Sequence, residues 1–196
     1  MKTPVSYDEV LVIVGSMAAF PAPWYVSGGW SLDLYMNRVT RSHEDLEIGV
    51  AREHQAKVHA HFAHRPVFKA VDHAWVPWDE GETLELPVFQ ILIGPQGPGE
   101  FEFFLNEVHG GRWYFRRDHS IFGPVDELIV LNSAAIPILA PEIQLLYKSG
   151  STRPKDESDL AAVFPCLEPF RRERLRKLLA AYQPDHQWLP RLSDPE

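Results

Sequence analysis

The sequence predicts a mixed α/β (α+β) fold, with a small mixed β-sheet, flanking helices and a C-terminal helical segment. Its first third alternates strand-like and helix-like stretches, a pattern typical of a sheet with helices packed on it. Its last third instead contains three stretches with helical spacing, the first of which starts with Pro141, a residue favoured at the first helical position. We therefore expect a core over residues 1–135 and a helical segment over residues 136–196.

Length and composition restrict the possible classes of protein. The 196 residues are 45% apolar, which suits one globular domain or one domain with a helical appendage. The formal net charge of −8 argues against a broad nucleic-acid-binding surface but leaves room for a local basic cleft. The single cysteine, Cys166, excludes an intramolecular disulfide and a cysteine zinc cluster. Without a signal sequence or an apolar run near 20 residues, we expect a cytoplasmic protein with no membrane partner.

The first elements follow from apolar spacing and from glycine and proline breaks. Helical spacing begins at Tyr7 and ends before Pro21, and a short buried strand follows at Trp24. The predicted elements of this part are a helix over 7–20, a strand over 24–26, a helix over about 30–36, a strand over 45–50 and a helix over 53–62.

The middle of the chain is rich in strand candidates, and the end is helical. Arg112 to Arg117 (RWYFRR) has the character of a hairpin's return strand across His109-Gly110-Gly111. The predicted strands are 67–70, 74–76, 88–93, 101–107, 112–117 and 128–131, and the predicted C-terminal helices are 141–149, 154–163 and 169–182. Four aromatic residues of the middle are candidates for either the core or the wall of a ligand pocket: Trp75, Trp78, Trp113 and Tyr114.

The Gly28-Gly29 turn between the first strand and its helix is a candidate anion site. Backbone N–H groups at a glycine turn that opens a helix bind phosphate oxygens, and the helix dipole favours the anion. Ser27 and Ser31 offer hydroxyl donors beside it. The alternative is a plain tight connection, for which glycine is equally suited.

Two carboxylates follow closely in sequence. Asp45 and Glu47 alternate with Leu46 and Ile48, so a strand would place both on one face, about 7 Å apart. Such a pair suits a hard divalent cation, although isolated carboxylates on a strand also occur as solvent-facing residues. Glu102 is a candidate third ligand, because it is a single charge within an apolar strand and is costly to bury unless it is paired. An outward-facing position is the alternative for Glu102 as well.

These residues resemble a known superfamily. The patterns G-G-W-x-x-D and T-R-x-H-x-D-x-E are similar to the polymerase-beta-like nucleotidyltransferases. The similarity is greatest to their antibiotic-modifying branch, the aminoglycoside 2-double-prime adenylyltransferases and lincosamide nucleotidyltransferases. The matching residues are Gly28, Gly29, Trp30, Asp33, Thr40, Arg41, His43, Asp45 and Glu47. The stretches Leu145–Lys148 and Arg153–Asp159 also resemble this branch, so the likeness reaches both ends of the chain.

The resemblance implies the chemistry of nucleotidyl transfer. It implies that Asp45 and Glu47 hold Mg²⁺, with Glu102 completing the metal site or taking a proton from the acceptor hydroxyl. The phosphates of ATP, or of another nucleoside triphosphate, would be cradled by Ser27, Gly28 and Gly29. Arg41 would bind phosphate or a carboxylate of the site. Lys148 would neutralise phosphate charge, with a surface lysine at a helix end as the alternative. The hydroxyl of a small molecule, aminoglycoside- or lincosamide-like, would receive the nucleoside monophosphate. Glu47 departs from the many superfamily members that have aspartate there, and its longer side chain requires a different geometry.

Two further residues of the motif, Asp33 and His43, have predicted roles. Asp33 lies one helical turn past the glycines and is predicted to anchor the motif loop by hydrogen bonds. His43, in the polar turn, is expected at the surface, with contact to nucleotide or metal site as the alternative.

The chain could instead modify a protein, as toxin–antitoxin nucleotidyltransferases do, or bind nucleotide without catalysis. No feature of the sequence determines the oligomeric state.

Overall fold

The computed structural model describes residues 3–94 and 99–192, which form six α-helices and ten strands. The helices are α1 (Tyr7–Ser16), α2 (Gly28–Met36), α3 (Gln55–His61), α4 (Pro141–Ser149), α5 (Pro154–Val163) and α6 (Pro169–Tyr182). The strands are β1 (Trp24–Ser27), β2 (Glu47–Ala51), β3 (Val67–Val71), β4 (Ala74–Pro77), β5 (Gln90–Ile93), β6 (Phe101–His109), β7 (Arg112–Tyr114), β8 (Phe122–Pro124), β9 (Ile129–Leu131) and β10 (Pro137–Leu139).

The strands form one mixed sheet, which confirms the predicted fold class. Its order is β4-β3-β5-β6-β2-β1-β10-β9, and β7 and β8 extend from the far end of β6. The β2–β6 and β1–β10 pairs are parallel, whereas the other pairs are antiparallel. In the part of the chain that the structure describes, no helix is both long and apolar enough to cross a membrane.

The two faces of the sheet have different roles because neighbouring strand residues point to opposite sides. Val26, Ile48 and Phe103 are register partners whose side chains pack in a buried apolar cluster with α1 and α3. The adjacent row on the other face is polar and consists of Ser27, Glu47 and Glu102. Strand pairing therefore brings the predicted carboxylates of β2 and β6 together on the face that α2 and α4 border.

A second buried cluster joins the C-terminal helices to this polar face. It contains Leu145 and Leu146 of α4, Leu160 of α5 and Leu175 of α6. Glu142 on α4 is fully buried and accepts hydrogen bonds from Arg171 at 2.8 and 2.9 Å and from Arg174 at 3.1 Å. Apolar packing and a buried ion pair thus hold α6 against α4.

Some boundaries differ from those predicted. The strand expected from Asp45 begins at Glu47, because its partner β1 ends opposite Glu47 at Ser27 and the chain turns there into α2. The hairpin is confirmed, with positive φ at both Gly110 and Gly111, but β7 ends at Tyr114. The first helix ends at Ser16, earlier than predicted, and a turn follows.

The sequence prediction missed β8 and β10, each three residues long, and matched all three C-terminal helices. Three residues are too few for the period of a strand to be read. Because β10 pairs with β1, residues beyond position 135 contribute to the sheet. The division of the chain at residue 135 stays a prediction, and residues 193–196 of its second part lie outside the described residues.

Candidate functional site

A cleft of about 200 Å³ lies between the glycine turn, the sheet and helices α4 and α5. Seven of the eight predicted site residues line it: Ser27, Gly28, Gly29, Arg41, Asp45, Glu47 and Lys148. The eighth, Glu102, is not a lining residue but is the register partner of Glu47 in the parallel β2–β6 pair. The structure therefore brings the predicted residues together from five separate parts of the sequence.

Neighbouring side chains approach both positions of the turn so closely that only glycine fits there. Gly28 has φ +68°, and a Cβ there would lie 2.5 Å from Oε2 of Glu47. A Cβ on Gly29 would lie 2.3 Å from Nδ1 of His43 and 2.7 Å from Nη2 of Arg41. The missing side chains thus let the start of α2 approach both a carboxylate and a guanidinium.

Not every donor predicted at the turn is available to a ligand. The N–H of Gly28 donates to Oε1 of Gln144 at 2.8 Å, so a phosphate at the turn would compete with that side chain. Ser31 donates its hydroxyl to the carbonyl of Gly28 at 2.9 Å and is fully buried. Ser27 Oγ is buried and has no hydrogen-bond partner within residues 3–94 and 99–192. A buried hydroxyl without a partner costs free energy, which a ligand acceptor would recover.

The carboxylates of the cleft perturb one another. Burial raises the pKa of Glu47 to about 7, and the nearby charges of Asp45 and Glu102 act in the same direction. Lys148 and Lys155 oppose this rise. A carboxylate with a raised pKa beside other acids is typical of a site in which a bound cation balances the negative charges.

The donor set fits Mg²⁺. Carboxylate oxygens are its usual protein ligands, and Mg²⁺ is commonly held by one or two carboxylates together with substrate phosphates and water. Asp45 and Glu47 supply two such groups to the cleft. Among the described residues, no group of three or more His, Cys, Asp or Glu side chains has the arrangement of a metal site. The role of Glu102 as a third ligand stays a prediction.

Asp33 anchors the motif loop, as predicted. Its Oδ1 accepts a hydrogen bond from Thr40 Oγ1 at 2.6 Å, and its Oδ2 lies 2.6 Å from Nε2 of His43. His43 is 3% exposed and packs on Trp30 with ring centroids 4.7 Å apart, so the expectation of a surface histidine is wrong. The hydrogen bond to Asp33 is what makes burial of this polar ring possible.

Two acids of α5 hold three cations at the edge of the cleft. Asp159 receives two hydrogen bonds from Arg41, at 2.8 and 2.9 Å, and lies 2.6 Å from Nζ of Lys148. Asp156 lies 3.5 Å from Lys148 and 2.8 Å from Nε of Arg153. Burial raises the pKa of Asp159, but the hydrogen bond from Arg41 and the charge of Lys148 outweigh it, so the pKa is lowered. For Asp156, burial also acts to raise the pKa, but the hydrogen bond from Arg153 and the charge of Lys148 lower it to about 2, so both acids are ionised at neutral pH.

Eleven further lining residues were not among the predicted site residues. They are Tyr25, Phe104, Asn106, Arg116, Arg117, Leu139, Gln144, Tyr147, Ser151, Arg153 and Lys155. The adjacent arginines that close RWYFRR are a signal in the sequence, but the strand predicted over 112–117 includes them, whereas β7 ends before them. None of the four candidate aromatic residues lines the cleft: Trp78 and Trp113 are buried in the core, Tyr114 is half-buried on β7, and Trp75 is 41% exposed.

The chain is similar to known proteins in sequence and fold. A family model described as aminoglycoside-2''-adenylyltransferase matches residues 9–163. The lincomycin-bound lincosamide antibiotic adenylyltransferase LnuA has a similar fold, with a TM-score of 0.60 and 17% identity over 82% of this chain and 98% of that one. The antibiotic-resistance factor ANT(2'')-Ia gives a TM-score of 0.55 and 15% identity over 94% of both chains. Among curated proteins, none matches the sequence.

Proposed function

Because the chain belongs to the aminoglycoside-2''-adenylyltransferase family, we propose that it is a magnesium-dependent nucleotidyltransferase that moves AMP from ATP to a hydroxyl of a small molecule. One observation carries the proposal. A single cleft contains a glycine turn at the start of a helix, the carboxylates Asp45 and Glu47, and the four cationic side chains of Arg41, Lys148, Arg153 and Lys155. In a protein of net charge −8, this local excess of cations suits a triphosphate.

The transfer is a displacement at the α-phosphorus. The acceptor oxygen bonds to this phosphorus, the bond from the phosphorus to the bridging oxygen breaks, and pyrophosphate leaves. The acceptor's proton passes to a carboxylate, for which Glu102 is our candidate because it lies beside Glu47 on the same face. Mg²⁺ bound at Asp45 and Glu47 would neutralise charge on the triphosphate and polarise the α-phosphate.

The other residues hold the nucleotide. The start of α2, at Gly28 and Gly29, directs the positive end of its dipole toward the cleft, where the β- and γ-phosphates would bind. Arg41 and Lys148 lie beside it and are already fixed by Asp159, so little side-chain entropy remains to be lost on binding. We include a cytoplasmic location in the proposal, because ATP is available there.

The first test is calorimetric binding of a non-hydrolysable ATP analogue, with and without Mg²⁺. We expect binding that requires Mg²⁺ in the wild type and that falls at least tenfold in Asp45→Asn. The exposed neighbour Glu44 provides a control, because Glu44→Gln leaves the cleft unchanged. A folded wild type that binds no nucleotide would refute the proposal. Nucleotide binding without pyrophosphate release for any acceptor would favour an inactive relative, and a co-purified protein that gains the mass of AMP would favour a protein acceptor.

A second prediction concerns Asp159, which positions two cations without lining the cleft itself. Asp159→Asn removes the charge that holds Arg41 and Lys148, so we expect roughly tenfold weaker binding of Mg²⁺ and the ATP analogue. Glu157→Gln is the matched control, because Glu157 lies on the same helix but bonds Trp188 and Arg191. Equal affinity in Asp159→Asn and Glu157→Gln would show that Asp159 serves only the fold.

A further inference from the structure

The cleft contains too few carboxylates for a polycationic acceptor. Among its described lining residues the acids are Asp45 and Glu47, and the proposed function assigns both to the metal. The cations are six: Arg41, Arg116, Arg117, Lys148, Arg153 and Lys155. An aminoglycoside carries several ammonium groups, each of which needs an acceptor or an opposite charge when it leaves water. Among the described lining residues, no carboxylate remains to supply one.

Arg116 and Arg117 differ from the cations held by α5. Arg41, Lys148 and Arg153 are paired with Asp156 or Asp159. Within residues 3–94 and 99–192, neither Arg116 nor Arg117 lies within ion-pair distance of a carboxylate. Arg117 instead donates to the carbonyl of Tyr147 at 2.6 Å.

Aromatic rings fix the guanidinium of Arg116. It lies 3.5 Å from the ring centroid of Phe89, 5.7 Å from that of Tyr147 and 5.9 Å from that of Phe104. Burial is the largest cause of its lowered pKa, and Arg117 acts in the same direction whereas Tyr147 and Glu47 oppose it, so its charge is held at a cost. A guanidinium that is held in one orientation and is destabilised by burial is suited to an anionic ligand group. It can donate two parallel hydrogen bonds to such a group.

The position of the pair in the cleft indicates which substrate it contacts. The start of α2 lies at the Ser27–Glu47–Glu102 row, where β1 ends. Phe104 is two residues further along β6, about 7 Å beyond Glu102, and Arg116 lies over that end of the face. The row that holds Glu47 and Glu102 therefore lies closer to the start of α2 than Arg116 does. In an in-line displacement the attacking oxygen enters opposite the leaving group, so pyrophosphate at α2 places the acceptor on the side of the arginines.

We propose that Arg116 and Arg117 form an anion subsite for the acceptor, which is then a hydroxyl compound that carries a carboxylate or phosphate group rather than a polycation. The proposal rests on the proposed function, because it takes the nucleotide site as the reference for the acceptor side. It separates this chain from the aminoglycoside acceptors that the family name describes.

The experiment is calorimetry on the full chain saturated with Mg²⁺ and α,β-methylene-ATP, so that the nucleotide site is filled first. The probes are glucose 6-phosphate, methyl glucoside and kanamycin, which represent an anionic, a neutral and a polycationic hydroxyl compound. We expect glucose 6-phosphate to bind at least tenfold more tightly than methyl glucoside, and kanamycin not to bind at millimolar concentration. The double variant Arg116→Gln, Arg117→Gln should lose the tenfold preference and keep its affinity for the nucleotide analogue.

The test has a matched control variant and four outcomes that would overturn the anion subsite. Arg112→Gln is the control, because Arg112 is exposed on β7 and packs on Phe122 outside the cleft. Tight kanamycin binding, no binding of glucose 6-phosphate, or an unchanged preference in the double variant would each overturn the anion subsite. Loss of nucleotide affinity in the double variant would also overturn it, because the arginines would then hold ATP. Failure of the wild type to bind the nucleotide is a separate result and refutes the proposed function itself.

Discussion

Replacing Glu47 with glutamine is expected to stop AMP transfer and, above pH 7, to stabilise the folded chain. Under the proposed function, transfer should fall about a thousandfold, since several kcal/mol of the stabilisation that Mg²⁺ would give the transition state is lost. The gain in stability follows from the pKa of Glu47, which rises from 4.5 to about 7 on folding. The contribution of this carboxyl to stability is full below pH 4.5 and is lost as the pH rises through 7, because the folded chain must then bury a charge.

Glutamine imitates the protonated carboxyl, so the gain depends on pH. At pH 8 without Mg²⁺ we expect Glu47→Gln to be more stable than the wild type by about 2 kcal/mol, which corresponds to roughly 6 °C in Tm. At pH 4 the difference should vanish. Thermal unfolding at both pH values measures it, and Mg²⁺ should raise the Tm of the wild type only. The raised pKa of Glu47 would be contradicted if the stability difference between Glu47→Gln and the wild type were no larger at pH 8 than at pH 4.

The second large effect is expected at Gly29. Its Cβ position is 2.3 Å from the ring of His43, which is buried and held by Asp33 at 2.6 Å. Because neither ring nor carboxylate can move into solvent, we expect Gly29→Ala to destabilise the fold by about 3 kcal/mol through overpacking. The displaced ring would also push Arg41, whose Nη2 lies 2.7 Å from the same position, and so weaken binding of the ATP analogue.

Gly15 offers the matched control for this substitution. It is also a helical glycine, but a Cβ there meets nothing within 4 Å and the position is exposed. Gly15→Ala should therefore stabilise the chain by up to about 1 kcal/mol, as alanine does in helices. Chemical denaturation of both variants compares them directly. If Gly29→Ala were as stable as Gly15→Ala, the His43 ring would be able to move away from a Cβ at position 29, contrary to what its contacts indicate.

The local sequence was sufficient for elements whose pattern is long or whose ends are marked. The helices that begin at Pro141, Pro154 and Pro169 match their predicted bounds, because proline at the start and an apolar face are both local signals. The glycine turn and the Asp45–Glu47 pair were identified for the same reason, since their chemistry lies within twenty residues. The strands β8 and β10 are defined by their pairing with other strands, and neither has a periodic pattern in its own sequence.

The sequence by itself determined the fold class, the C-terminal helices and the central residues of the cleft, because hydrophobic period and turn chemistry act over short distances. Tertiary structure alone decided which charges meet there. Arg41 and Asp159 are 118 positions apart, and Gln144 reaches the N–H of Gly28 across 116. The pKa of Glu47 and the contacts of Arg116 and Arg117 likewise depend on which strands are neighbours and on what is buried between them. Charge and desolvation act through space, and spatial neighbours arise only when the sheet has formed.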